Sequence, residues 1–169
     1  MSDQLFDPFN DRLSRDIRND LSESLLTCLR ERRPTAARTV AERYLAGHPG
    51  PVYVSYIHNR LERYARFLEQ LDEDETDPLR LGFALWDLGL HFEVHEVLGQ
   101  AWLRAAGEEK GLFQALVRAA GVVIKRECGF FAAAAKMAAK ARPVLERHRA
   151  RLAAYTDVTS LFRILDSEG

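Results

Sequence analysis

Cysteine is almost missing from this chain: Cys28 and Cys128 stand a hundred residues apart, with no close Cys or His at zinc-finger spacing. That excludes a disulfide framework, and both thiols are expected to be reduced and packed. Long apolar runs are missing too. No uninterrupted apolar stretch approaches the roughly 18 residues of a membrane span. The start "MSDQLFDPFNDRL" carries acids where a secretion signal needs a basic start and an apolar run. A soluble cytoplasmic protein is therefore expected. An excess of one charge is also lacking: 24 basic and 25 acidic residues give a net charge of −1, which removes any global attraction to nucleic acid or an anionic membrane. There is no Gly-x-Ser-x-Gly elbow, no catalytic Cys/His signature and no Gly-rich phosphate loop. Ten glycines and six prolines in 169 residues leave long stretches of Ala, Leu, Arg and Glu uninterrupted, and alternating strand patterns between hairpin turns do not occur. What is present is an all-α chain, expected to form a single helical bundle of about six or seven helices in one domain.

The punctuation places the helices. A first helix is expected from about Asp11 to Arg32. A second begins at Pro34, where the first turn tolerates proline, and ends near "AGHPGP". The third is "VYVSYIHNRLERYARFLEQL". Residues 11–71 carry enough apolar residues at helical spacing to be expected to pack on the later bundle. The acidic run "DEDETDP", residues 72–78, repels itself and reads as a solvated linker. After it come a short helix near Pro78 to Leu85, then "LHFEVHEVLGQAWLRAAG" and "LFQALVRAAGVVIKRE". Next is "FFAAAAKMAAKARPVLERHRARLAAY", which Pro143 should kink or break, and a last helix "VTSLFRIL" capped by Thr156 or Asp157. Residues 146–169 make up the C-terminal helices.

The segment "LWDLGLHFEVHEVLGQAW" places two histidines and two glutamates within six residues. Turning each residue by about 100° sets His95 in the middle of an apolar face with Leu85, Leu88, Phe92, Gly99, Trp102 and Ala106, so its ring is expected to be buried. His91 lies one turn earlier at an offset of roughly 40°, close enough for both rings to share one ligand. Glu96 falls at the border of that face, and Glu93 nearly opposite His95. The pattern is not the His-Glu-x-x-His zinc motif, because its glutamate follows the first His by two residues and points away from both rings. On the next helix Leu112, Phe113, Leu116, Ala120 and Val123 share one face, with Gln114, Arg118, Gly121 and Lys125 along the other. The turn "AGEEKG" makes the two helices antiparallel neighbours, so Arg118 is expected to form an ion pair with Glu93 or Glu96.

These residues resemble the domain of unknown function 309 family. Its members carry an aromatic-Phe-Glu-Ala-His-Glu-x-x-Glu-x-x-Trp stretch followed by a Phe-Leu-Gln-Gly-Leu-Ile-Gln-x-Ala helix. The resemblance runs from about Leu79 to Leu145. Phe92, Glu93, His95, Glu96, Trp102, Phe113, Gln114 and Leu116 fall on the pattern, with Ala119 or Ala120 as its small residue. Gly99 stands where the family often has a second glutamate, Arg118 replaces a glutamine and His91 an aromatic. The resemblance implies a compact helical bundle and brings with it the label of a predicted metal-dependent hydrolase.

Two functional expectations follow. The first is a binding module for a small molecule or a protein, with Glu93, Trp102, Gln114 and Arg118 as the binding residues of a His/Glu/Arg cluster. The alternative is metal-dependent hydrolysis: His91 and His95 hold a divalent ion such as zinc or manganese, and Glu96 or Glu127 completes the shell. Glu96 would then activate water, and Arg118 would stabilise a developing anion. For His95 and Glu96 the simpler reading is a hydrogen-bonded polar cluster in a helix interface. Trp102 reads as a core anchor, and His48, His58 and His148 as surface groups. From Lys136 to Arg151 six basic residues meet one acid, Glu146, a local balance of +5. With no interleaved aromatic it reads as a solvated face before it reads as a site for RNA or for the acidic linker.

Overall fold

The computed structural model describes residues 5–167, and every regular element among them is a helix. The chain divides into two compact units, Met1–Asp74 and Glu75–Gly169. Nine helices form among the described residues. That roughly matches the expected bundle of about six or seven, eight of the nine being of seven residues or more and α8, from Arg149, a single turn split from the helix that ends at Arg147.

The first unit holds α1 (Arg12–Glu31), α2 (Thr35–Leu45) and α3 (Pro51–Glu69). Asp11 starts α1 by accepting from the backbone N–H groups of Leu13 and Ser14 and from the Ser14 hydroxyl. The Tyr53 hydroxyl also donates to it, at 2.9 Å, and so ties the start of α3 to the start of α1. Ile17, Leu21, Leu25 and Cys28 repeat at helical spacing and are fully buried, as are Ala37 of α2 and Ile57 of α3. The Ala37 N–H points at Cys28 Sγ, 3.4 Å away. Burial pushes the Cys28 thiol above its ordinary pKa, so this sulfur is a packing group.

The second unit holds α4 (Pro78–Asp87), α5 (His91–Arg104), α6 (Gly107–Glu127), α7 (Phe131–Arg147), α8 (Arg149–Leu152) and α9 (Val158–Asp166). Asp77 caps α4 with Pro78 in the first turn, and Asp157 caps α9 through the N–H groups of Thr159 and Ser160. α4 ends in a Schellman motif. Gly89, at φ +70°, sends its N–H to Trp86 O, while the Leu90 N–H reaches back to Leu85 O. α6 ends the same way, with Gly129 at φ +78° and the Phe130 N–H on Lys125 O. At both places a left-handed glycine stops one helix and lets the next start within three residues.

The chain folds back from α5 to α6 through Ala105 and Ala106, and α6 then packs along α7. Small residues make that contact close: Ala115, Ala119 and Ala120 on α6 and Ala134, Ala138 and Ala141 on α7 are all buried. Leu112, Phe113 and Leu116 lie on the inward face of α6 as their spacing requires, and Gln114 is exposed. Pro143 does not break α7, which runs on to Arg147. Pro143 and Ala139 are both exposed, so the carbonyl that loses its donor is open to water. Arg126 near the end of α6 donates to the carbonyls of Ile164, Leu165 and Ser167. It thereby caps the carbonyl end of α9 with a positive charge.

Candidate functional site

The Schellman turn at Gly89 decides what the histidine segment can do. A helical phase cannot be carried through a left-handed residue, so Leu85 and Leu88 do not share a wheel with His95. α5 starts afresh at His91, and its inward face is Glu93, Val94, Val97 and Leu98. His95 points the other way, with 60% of its side chain exposed, which corrects the expectation that its ring is buried. Glu93, nearly opposite His95 round the helix, is fully buried. It sits in the first turn of α5, where the unpaired N–H groups and the positive end of the helix dipole favour a carboxylate.

The aromatic neighbours follow from the same turn. His91 meets the Trp86 ring edge-on at 4.7 Å between centroids, and His95 lies nearly parallel to Phe92 at 6.2 Å. His95 Nδ1 is 3.9 Å from Glu96 Oε1, an exposed contact of little energetic weight. His91, His95 and Glu96 do not close into a ligand set: among the described residues no three His, Cys, Asp or Glu side chains come together so as to hold a metal ion. The donors of the hydrolase reading therefore do not fit a metal centre as they stand, and Glu127 lies exposed at the far end of α6.

Arg118 is half-buried on the outer margin of α6, and among the described residues no ion pair joins it to Glu93 or Glu96. The expected pair fails because Glu93 faces inward on α5 while Arg118 faces outward on α6. Trp102 is half-buried, with Lys110 Nζ 4.3 Å above its ring. That cation–π contact at the α5–α6 corner replaces the expected core anchor. Trp86 and Lys110 were not expected as partners. The cue to Trp86 lay in Gly89 followed by Leu90, a C-terminal helix signal that brings the last turn of α4 beside the first turn of α5.

The basic stretch resolves into internal pairs. Arg142 grips Asp166 through two nitrogens at 2.7 and 2.9 Å, Arg149 grips Glu146 at 2.9 and 3.2 Å, and Arg151 grips Glu109 at 2.7 and 3.0 Å. Arg142 and Arg149 also lie over the Phe162 ring. The hydrogen bonds from Arg149 and Arg151 hold the Glu146 and Glu109 carboxyls below the usual glutamate value. Half of the six cations are thus spent on tying α7 and α8 to α6 and α9. Cys128 is exposed, contrary to the expectation of a packed thiol, because it caps α6 beside the turn at Gly129.

Residues 79–137 match the DUF309 family, a domain of unknown function. The DUF309 match falls wholly within the second unit and runs from α4 into the first half of α7, ending short of the expected Leu145. No curated protein and no solved structure matches the chain. The DUF309 segment contains His91, Glu93, His95, Glu96, Trp102, Gln114 and Arg118. No helix among the described residues is long and apolar enough to cross a membrane.

Proposed function

We propose that this protein is a cytoplasmic binding module that takes a small molecule or a partner segment on the outward side of α5 and α6. The observation that carries this reading is the exposed His95 ring lying along Phe92. The same two helices also carry the half-buried Trp102 and Arg118 and the exposed Gln114. Together these supply an aromatic surface, an amide and a guanidinium, which recognise a ligand by stacking and hydrogen bonding. Glu93, sealed in the first turn of α5, supports the segment that presents them. The absence of a three-donor cluster among the described residues favours binding over metal-dependent hydrolysis by His91, His95 and Glu96.

Both tryptophans of the chain, Trp86 and Trp102, belong to this segment, so their emission reports on it directly. Titration with inorganic phosphate, succinate and adenosine monophosphate should give a saturable emission change with at least one of them, lost in His95→Ala and Gln114→Ala. No saturable change with any of the three, or a change that survives both substitutions, would overturn the reading for small anions. Zn²⁺ and Mn²⁺ address the hydrolase alternative. A melting temperature that rises with the logarithm of free metal in wild type, and no longer does so in His91→Ala/His95→Ala, would favour that alternative.

A further inference from the structure

Leu103, near the end of α5, keeps 65% of its surface exposed. A lone exposed leucine needs no account, but this one continues a stripe. At about 100° per residue, Phe92, Gly99 and Leu103 lie within roughly 40° of one another, on the side of α5 opposite its buried face. Phe92 and Gly99 are half-buried. A Cβ on Gly99 would meet nothing within 4 Å, so the middle of the stripe is a shallow notch open to solvent. His95 and Trp102 border the notch on one side and Glu96 on the other, so the stripe holds a single carboxylate.

We infer that two copies of this protein pair through α5, antiparallel and crossing at Gly99 about a two-fold axis. This rests on the reading of the α5–α6 side as a binding surface, and it names the partner segment as the same helix of a second copy. Three and four residues before Gly99 stand Glu96 and His95; three and four after it stand Trp102 and Leu103. A two-fold at Gly99 sets the earlier pair of one copy against the later pair of the other, on matching sides of the stripe. Trp102 then meets the exposed His95 ring, and Leu103 covers Phe92 and the stem of Glu96. Each copy supplies the cover that the other's Leu103 lacks. A parallel pairing would instead set Glu96 against Glu96 and leave Leu103 beside its own kind at the far end. Two helices approach closely where both lack a side chain at the crossing, and the two-fold meets that condition by placing Gly99 on itself. An unrelated helix would have to bring its own small residue to the same register. α5 has 14 residues, a length of about 21 Å, so the contact is small and the dimer is expected to be weak.

Sedimentation equilibrium of the full chain between about 1 and 300 µM, the range in which a small interface associates, should show the mean mass rising from monomer toward dimer. Gly99→Leu should hold the protein monomeric throughout with circular dichroism unchanged, since in the single copy that position faces open space. Leu103→Ala should weaken the association at least about tenfold. Cys128→Ser removes the exposed native thiol. In that background Gly99→Cys should give a disulfide-linked dimer under mild oxidation, whereas Arg104→Cys, exposed but off the stripe, should not. A monomer at every concentration would overturn the inference. So would a dimer indifferent to both Gly99→Leu and Leu103→Ala, whose contact would lie elsewhere. A monomer that sediments with phosphatidylserine vesicles, and no longer does so in Leu103→Ala, would assign the stripe to a membrane and overturn the inference equally. The anion titration separates this inference from the reading it rests on. A strict monomer whose tryptophan emission still responds to an anion through His95 loses the dimer and keeps the binding surface; a dimer broken by Gly99→Leu, with no response to any anion, keeps the dimer and loses the small ligand.

Discussion

Two glycines separate space from conformation at the residue scale. A Cβ on Gly99 would meet nothing within 4 Å, whereas one on Gly82 would stand 3.2–3.3 Å from three atoms of the Leu98 side chain. Both lie inside helices, so each gains helix propensity on becoming alanine, but Leu98 is only 1% exposed and has little room to yield. Gly99→Ala is expected to raise stability by about 0.5–1 kcal/mol. Gly82→Ala should lower it by about 1 kcal/mol, as overpacking outweighs the same gain. Denaturant midpoints at constant m-value check both, and equal shifts would refute the packing contrast. Tyr44 supplies a second case. Burial first, and then its 2.5 Å hydrogen bond to the Asp20 carboxylate, push its phenol up to about 12. The stability this contributes is complete below the ordinary value of 10.0 and is lost as pH rises through about 12. Absorbance titration should show Tyr44 ionising late, alongside Tyr155, whose hydrogen bond to Asp77 also raises its phenol. Tyr44→Phe should shrink that late phase by one tyrosine and cost about 1 kcal/mol at neutral pH, the size of one net hydrogen bond.

At the scale of elements, the left-handed glycine and the internal proline carry opposite expectations. Gly89→Ala forces a side chain to φ +70° and should destabilise by about 1–2 kcal/mol. Pro143→Ala restores a donor to the Ala139 carbonyl in the middle of α7 and should stabilise by about 1–3 kcal/mol. Thermal melts of the two variants should therefore move in opposite directions, and a Pro143→Ala that melts below wild type would show the proline to be required. The same elements mark what was legible in the sequence. Helix starts at Asp11, Pro78 and Asp157 could be read because caps and prolines act within one turn. The burial of His95 was misread because one wheel was drawn through Gly89, where the helical phase resets. The pairs Arg151–Glu109 and Arg142–Asp166 join residues 42 and 24 apart. Their register is set by how α6, α7, α8 and α9 pack, and no local spacing encodes it. Arg118 illustrates the same limit: the short turn after α5 fixed its neighbour helix, but not which side of that helix its partners would face.

For the molecule as a whole, acid and size set the limits of stability. The Glu109 carboxyl, lowered by Arg151, contributes above the ordinary value of 4.5 and loses its contribution as pH falls through its lowered value. The pair is 42% exposed on both sides, so solvent screening keeps its share to about 0.5 kcal/mol. Glu109→Gln should accordingly flatten the acid limb of a stability profile slightly and leave neutral pH nearly unchanged. Size matters more. A unit the length of Met1–Asp74 buries only about 60% of its unfolded surface, which is marginal for independent folding. Its helices carry apolar residues at spacings that call for cover. We therefore propose that a chain beginning at Asp77 exposes apolar surface and aggregates. Size-exclusion chromatography and calorimetry of that shortened chain decide the matter. Aggregation, or a broad transition well below that of the full chain, is the expected result. A soluble monomer with the full chain's melting temperature would instead make Glu75–Gly169 a domain that folds by itself, and the first three helices an addition to it.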